Sequence, residues 1–148
     1  MATEAGHHAS RVYRDQSGDF HLNSAKFFND AEEDIADQLE QYGPGGAVTQ
    51  ITSSSTGVTL NAKRGQITTV ALTTAAGAEE RFTVTNSKVA AVDIVVVGTT
   101  YAGAGTPAIS VVATAAGSFD IVITNLHAAN ALNAVVVVNF MVLKGAIS

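Results

Sequence analysis

The chain has 148 residues, 47% of them hydrophobic and only 14% charged, with a formal net charge of −5 and no cysteine. That length suits one ordinary domain with an appendage, and the missing thiols exclude a disulfide framework and any thiolate metal site. The lack of a basic stripe argues against a nucleic-acid partner, and no apolar run approaches the ~18 residues of a membrane span.

Charge is unevenly placed. Nine of the 13 acids fall in residues 1–45, against Arg11, Arg14 and Lys26, whereas residues 46–148 are close to neutral. The break coincides with Gly43-Pro44-Gly45-Gly46, so the expected division is residues 1–46, an arm with an acidic helix, and residues 47–148, a β domain. Met1–Ser10 carries no apolar h-region, so no signal peptide is expected there.

Residues 1–22 are polar, hold His7 and His8 in tandem and show no sustained period, which predicts an extended arm. The alternation at Arg11-Val12-Tyr13-Arg14 would pair as a strand wherever a partner offers an edge. From Asp30 the sequence predicts a helix, with Asp30 as cap and Glu33 closing a capping box; a start at Asn23 or Ser24 is also open. Phe28, Ala31, Ile35, Leu39 and Tyr42 fall at spacings of three and four and share one face, while Asp34, Asp37 and Glu40 lie elsewhere. Gly43 and Pro44 stop the helix, the first by adopting a left-handed cap and the second by lacking an N–H.

Beyond the junction, β-rich runs recur: Val48–Ser53, Thr56–Asn61, Gln66–Thr73, Glu80–Asn86, Asp93–Thr99, Ala108–Ala113, Phe119–Thr124 and Ala134–Lys144. Turn residues separate them, with Lys63-Arg64-Gly65 the expected tight turn between Leu60 and Ile67. Strands without intervening helices predict an all-β, antiparallel, jelly-roll-like β-sandwich, preceded by the arm and one short α-helix.

One phrase is written twice. Ala75-Ala76-Gly77, then Phe82–Asn86, then Asp93–Val97 is followed by Ala115-Ala116-Gly117, Ile121–Asn125 and Ala134–Val138. Each copy is a strand–loop–strand unit with an apolar face it cannot bury alone, so the two units are expected to face each other as the two sheets. Ile94–Val97 and Val135–Val138 with Phe140–Leu143 are apolar on both faces. One face meets the core; the other is covered within the subunit or forms an oligomer interface, for which Ile94, Val96, Val135, Val137, Phe140 and Val142 are the candidates.

No constellation for catalysis or metal binding stands out. His7, His8, His21 and His127 include no pair at helical ligand spacing, and Asp30-x-Glu32-x-Asp34 has Ile35 where a calcium loop needs glycine. Ser118, Asp120 and His127 are the residue types of a hydrolase triad, but no nucleophile elbow surrounds the serine. Gly98–Gly105 lacks the Lys-Ser/Thr of a phosphate loop and reads as a flexible loop with Tyr101 as a contact residue at its tip. With no Trp and three Tyr, aromatic sugar platforms are scarce. No catalytic residue, metal or cofactor is expected.

Val48 to Lys144, above all Gly57-Val58-Thr59-Leu60-Asn61, Gly65-Gln66-Ile67-Thr68-Thr69, Ala75–Glu79, Phe82–Asn86 and Gly117–Ile121, resembles the small β-sandwich capsid decoration, or cement, proteins of tailed bacteriophages. The resemblance implies a non-enzymatic virion protein, made in the host cytoplasm, that sits on the outer capsid surface as an oligomer, often a homotrimer, and clamps neighbouring subunits of the major capsid protein. Head-fibre and tail-fibre modules acting as host-surface adhesins are similar and supply the alternative. Residues 1–46 depart from the resemblance; within them Phe28, Asp34, Ile35, Asp37, Leu39, Glu40 and Tyr42 are the expected capsid-binding residues.

Overall fold

The computed structural model describes Val12–Arg14, Phe20–Leu22 and Gly45–Gly145. The chain divides into two compact units, Met1–Gly43 and Pro44–Ser148. In the first, β1 (Val12–Arg14) pairs antiparallel with β2 (Phe20–Leu22), Val12 opposite Leu22 and Arg14 opposite Phe20. The strand expected at residues 11–14 thus finds its partner within its own unit. The helix expected from Asp30 to Tyr42 lies outside the described residues.

The second unit is built from two four-stranded sheets. One has the order β3 (Gly46–Thr49), β5 (Arg64–Thr68), β10 (Val136–Leu143), β7 (Ile94–Tyr101). The other has the order β4 (Val58–Thr59), β6 (Glu79–Thr85), β9 (Ser118–Asn125), β8 (Pro107–Ala115). Each expected run in this unit contributes a strand. Within the unit, β8 and β9 are joined as a hairpin inside one sheet, turning at Gly117 with φ of 84°, where a side chain would be strained. Every other connection crosses between the sheets.

That crossing corrects the wholly antiparallel expectation. β3 runs parallel to β5, and β4 parallel to β6. Between β3 and β5 the chain lays β4 in the opposite sheet, which supplies the crossover that a parallel pair requires. It also displaces the tight turn expected at Lys63-Arg64-Gly65. The turn falls earlier, where the Ala62 N–H donates to the Leu60 carbonyl, and Arg64 already belongs to β5.

The duplicated phrase folds differently from the expectation that each copy forms one sheet. The first copy is β6 and β7, the second β9 and β10, and each places its first strand in one sheet and its second strand in the other. The copies then pair side by side, β6 with β9 and β7 with β10, all antiparallel. The cause is spacer length: residues 86–93 and 126–135 are long enough to span the ~10 Å between packed sheets, so neither copy needs to close as a hairpin.

Alternation then builds the core. On β6 Phe82 and Val84 point inward, on β9 Phe119, Ile121 and Ile123, on β10 Val136, Val138, Phe140 and Val142, and all are buried. They form one cluster with Ile67, closed at its margins by Leu72, Val89 and Leu132 from the connections. The rings of Phe119 and Phe140 meet edge to face across the sheets at 5.4 Å, the arrangement that aromatic quadrupoles favour.

Candidate interaction surface

The two outer faces of this unit differ. On β6 and β9 the outward positions are Glu79, Arg81, Thr83 and Thr85 against Ser118, Asp120, Val122 and Thr124. Arg81 donates from Nε (3.0 Å) and Nη2 (2.6 Å) to one oxygen of Asp120. Hydrogen bonds from Thr83 and Arg81, together with the arginine charge, hold the Asp120 carboxyl below its usual range despite partial burial. Apart from Val122 these positions are polar, and Arg81 and Asp120 are paired.

On the opposite sheet, β7 presents Ile94 and Val96, and register sets Leu143 beside Ile94 and Met141 beside Val96. Ile94 is 61% exposed, Val96 50% and Leu143 40%, with Val92 just ahead of β7 at 58%. Burying such side chains would yield roughly 25 cal/mol per Å². A shallow cavity of about 310 Å³ adjoins it, bounded by Arg64, Gln66, Asn139 and Met141.

The interface candidates from the sequence are only partly brought together. Ile94 and Val96 lie in the corner. Val135 (44% exposed) and Val137 (half-buried, between Thr68 and Thr100) lie toward the other end of the sheet. Phe140 and Val142 are corrected: they are 4% and 0% exposed and belong to the core. Asn139, the polar residue within β10, fixes the parity of that strand. With Asn139 outward, Phe140 and Val142 face inward and Met141 and Leu143 outward, a signal the sequence carried. The capsid-binding candidates Phe28, Asp34, Ile35, Asp37, Leu39, Glu40 and Tyr42 lie outside the described residues.

The start of β7 is tied to the end of β10 beside this corner. Asp93, with a side chain 2% exposed, precedes β7 and receives Lys144 Nζ at 2.8 Å, the Ala90 N–H at 2.8 Å and the Gly145 N–H at 3.1 Å. Burial alone would raise its pKa, but the hydrogen bonds and charge of Lys144 and the two amides outweigh that and lower it to about 2. Lys144 also donates to the Lys88 carbonyl at 2.8 Å, so the segment after β10 is tied to the approach to β7.

Both copies of the duplicated phrase end on a fully buried asparagine that organises the following loop. Asn86 accepts from the Lys88 N–H (3.0 Å) and donates to the Ala62 carbonyl (2.7 Å). Asn125 accepts from the amides of His127 and Thr106, both at 3.1 Å, and donates to the carbonyls of Thr74 (3.1 Å) and Asn130 (2.8 Å). Gly98–Tyr101, expected in a flexible loop, belongs to β7. Tyr101 donates to the Ala104 carbonyl and accepts from the Asn133 N–H at 2.8 Å, so it is engaged in the turn rather than offered at a tip.

The triad residue types are likewise not assembled. Ser118 and Asp120 start β9, whereas His127 follows its far end, roughly 16 Å along the strand from Asp120 to Asn125. The Nδ1 atom of His127 accepts from the amides of Ala129 (3.0 Å) and Asn130 (2.8 Å), a loop-closing role. Among the described residues no group of three or more His, Asp or Glu side chains is placed to hold a metal ion. Comparison with known proteins gives no matching family model, no matching curated protein and no matching solved structure.

Proposed function

We propose that this is a structural virion protein that binds the outer surface of a tailed-phage capsid and stabilises contacts between capsomers, acting without catalysis or cofactor. The observation that carries this reading is the asymmetry of the β unit: one outer face mostly polar, with Arg81 and Asp120 paired, the other bearing an exposed apolar corner of Val92, Ile94, Val96 and Leu143 at the β7 edge. Binding surface on an unadorned scaffold is what cementing needs, since contacts made only in the assembled shell stabilise that shell by mass action. The major capsid protein is the proposed partner, with Phe28, Ile35, Leu39 and Tyr42 and the acids Asp34, Asp37 and Glu40 as its anchor.

The jelly-roll-like description belongs to the same reading. Paired sheets joined by cross-sheet connections support it, and the parallel ladders β3–β5 and β4–β6 are its departure from that pattern. Self-association through the apolar strand β7 is also part of the proposal; the resemblance implies three copies, while the geometry of the β7 edge argues for pairs. Electron microscopy of purified particles tests the function. Copies spaced over the head are expected, and copies confined to fibres or the tail tip would replace the cement reading with the adhesin one.

A further inference from the structure

The two-fold relation between the duplicated units leaves one place in the sheets unfilled. In the sheet of β6 and β9, each first strand has a further neighbour, β4 on one side and β8 on the other. In the opposite sheet, β10 has β5 beside it over Val137–Met141, whereas β7 is the last strand. Aligning Ile94–Val97 with Val135–Val138 carries the β5 position onto an antiparallel strand lying along Val96–Thr100, centred on Gly98, which itself pairs with Asn139 at the middle of the β7–β10 ladder.

Among the described strands of this unit, β7 is also the edge left unprotected. Natural sheets blunt their edges by shortness, bulges, prolines or charges. The edge strand β3 has four residues and β4 two. The edge strand β8 opens with Pro107 and is broken by a bulge between Val112 and Ala115, where Ala113 takes a φ of 54°. β7 has eight residues, IVVVGTTY, with no charge, proline or bulge. A strand pairing antiparallel with its own copy across a two-fold axis sets residues equidistant from that axis against each other, so like charges near the axis or placed symmetrically about it would repel. β7 carries none, nor does the outward face of β10 from Val137 to Leu143.

From this we infer that β7 accepts β7 of a second copy in an antiparallel pair centred on Gly98, joining two four-stranded sheets into one continuous sheet. This rests on the self-association part of the proposed function and specifies how it occurs. Val96 then faces Thr100 of the partner subunit, and the apolar corners of the two copies flank the shared axis on the same sheet surface. Backbone hydrogen bonds supply the join, as in other strand additions.

Gly98 gives a clean test, because a Cβ there meets nothing within 4 Å and the fold has room for a side chain. Light scattering on the purified full chain, without capsids, is expected to give twice the mass of one chain for wild type and for Gly98→Val, and the mass of one chain for Gly98→Lys. Hydrogen exchange on wild type alone provides a second readout. Alternate amides within Val96–Thr100 are expected to exchange at least ten times faster on dilution below the pairing range. A wild-type monomer at 100 μM, a trimer indifferent to Gly98→Lys, or amides whose exchange ignores concentration would each overturn the inference. So would a monomer whose Gly98→Lys variant loses only attachment to heads, since the strand accepted would then come from the capsid. Failure of head attachment with pairing intact would count against the cement function and leave the pairing standing.

Discussion

Phe82 and Ile121 occupy the same place in the two copies of the duplicated phrase, and they lie directly opposite each other at the centre of the β6–β9 ladder. The strands are antiparallel, so each copy's opening turn meets the other copy's closing asparagine. The Gly77 N–H donates to the Asn125 carbonyl at 2.9 Å, and the Asn86 N–H donates to the Gly117 carbonyl at 2.8 Å. The sandwich is thus held at both ends by the same reciprocal contact, made once in each direction.

The two asparagines are expected to differ in weight. Replacing Asn125 by Ala strands two amides and two carbonyls in a buried setting, whereas Asn86→Ala strands one of each. Urea unfolding should show a loss of about 3 kcal/mol for Asn125→Ala and a distinctly smaller one for Asn86→Ala. Equal losses would mean that the loop after Asn125 repairs itself.

Acid should loosen the tie between Asp93 and Lys144. The folded pKa of Asp93 is lowered from 3.8 to about 2, so its stabilisation is fully present above the unfolded value and is lost as pH falls between the two. The span corresponds to a contribution on the order of 2 kcal/mol. Thermal unfolding followed from pH 5 to pH 2 should fall less steeply for Asp93→Asn than for wild type. A parallel fall in both proteins would assign the acid sensitivity elsewhere, with Asp120 the next group to examine.

Outward and inward positions on the same sheet should respond in opposite ways to charge. Ile94→Lys adds charge at a site already 61% exposed and is expected to change stability by less than about 0.5 kcal/mol. Phe140→Asp, at 4% exposure against Phe119, is expected to abolish folding, because an unpaired charge in the core costs several kcal/mol. Circular dichroism separates the two outcomes directly.

Attachment should divide from folding at the boundary between the units. Among the described residues the buried cluster is drawn from the second unit, so a fragment of residues 44–148 is expected to keep its strand content. If the acidic segment is the anchor, the fragment should fail to decorate heads, and charge reversal at Asp34, Asp37 and Glu40 should weaken decoration by the full chain in a salt-dependent manner. Undiminished decoration by the fragment would move the anchor to the β unit.

The strand content of the second unit was legible because period-two alternation is local: Phe82 and Val84 alternate with Thr83 and Thr85 whatever the topology. Which strands share a sheet was not legible, since it depends on whether a spacer turns back or crosses over, and the Ala-rich spacer after Asn86 reads equally well either way. The oligomer-interface candidates failed where every residue of a run is apolar. In Val135–Leu143 periodicity has no contrast except at Asn139, and without that contrast Phe140 and Val142 read as readily outward as inward. Asp93 and Lys144, far apart in sequence, give no local sign that they meet.

The alternation of successive strands between sheets also bears on how the β unit reaches its fold. A chain that pairs neighbours by hairpins can collect structure piecemeal, but here the β8–β9 hairpin is the one pairing between consecutive strands of this unit, and ladders such as β5–β10 join residues separated by most of its length. Those loops must close before the contacts that reward them exist, which places such a topology among the slow folders, in the millisecond-to-second range. A side chain at Gly117 is therefore expected to slow folding as well as to strain the native turn, since it falls in the one turn that joins consecutive paired strands of this unit.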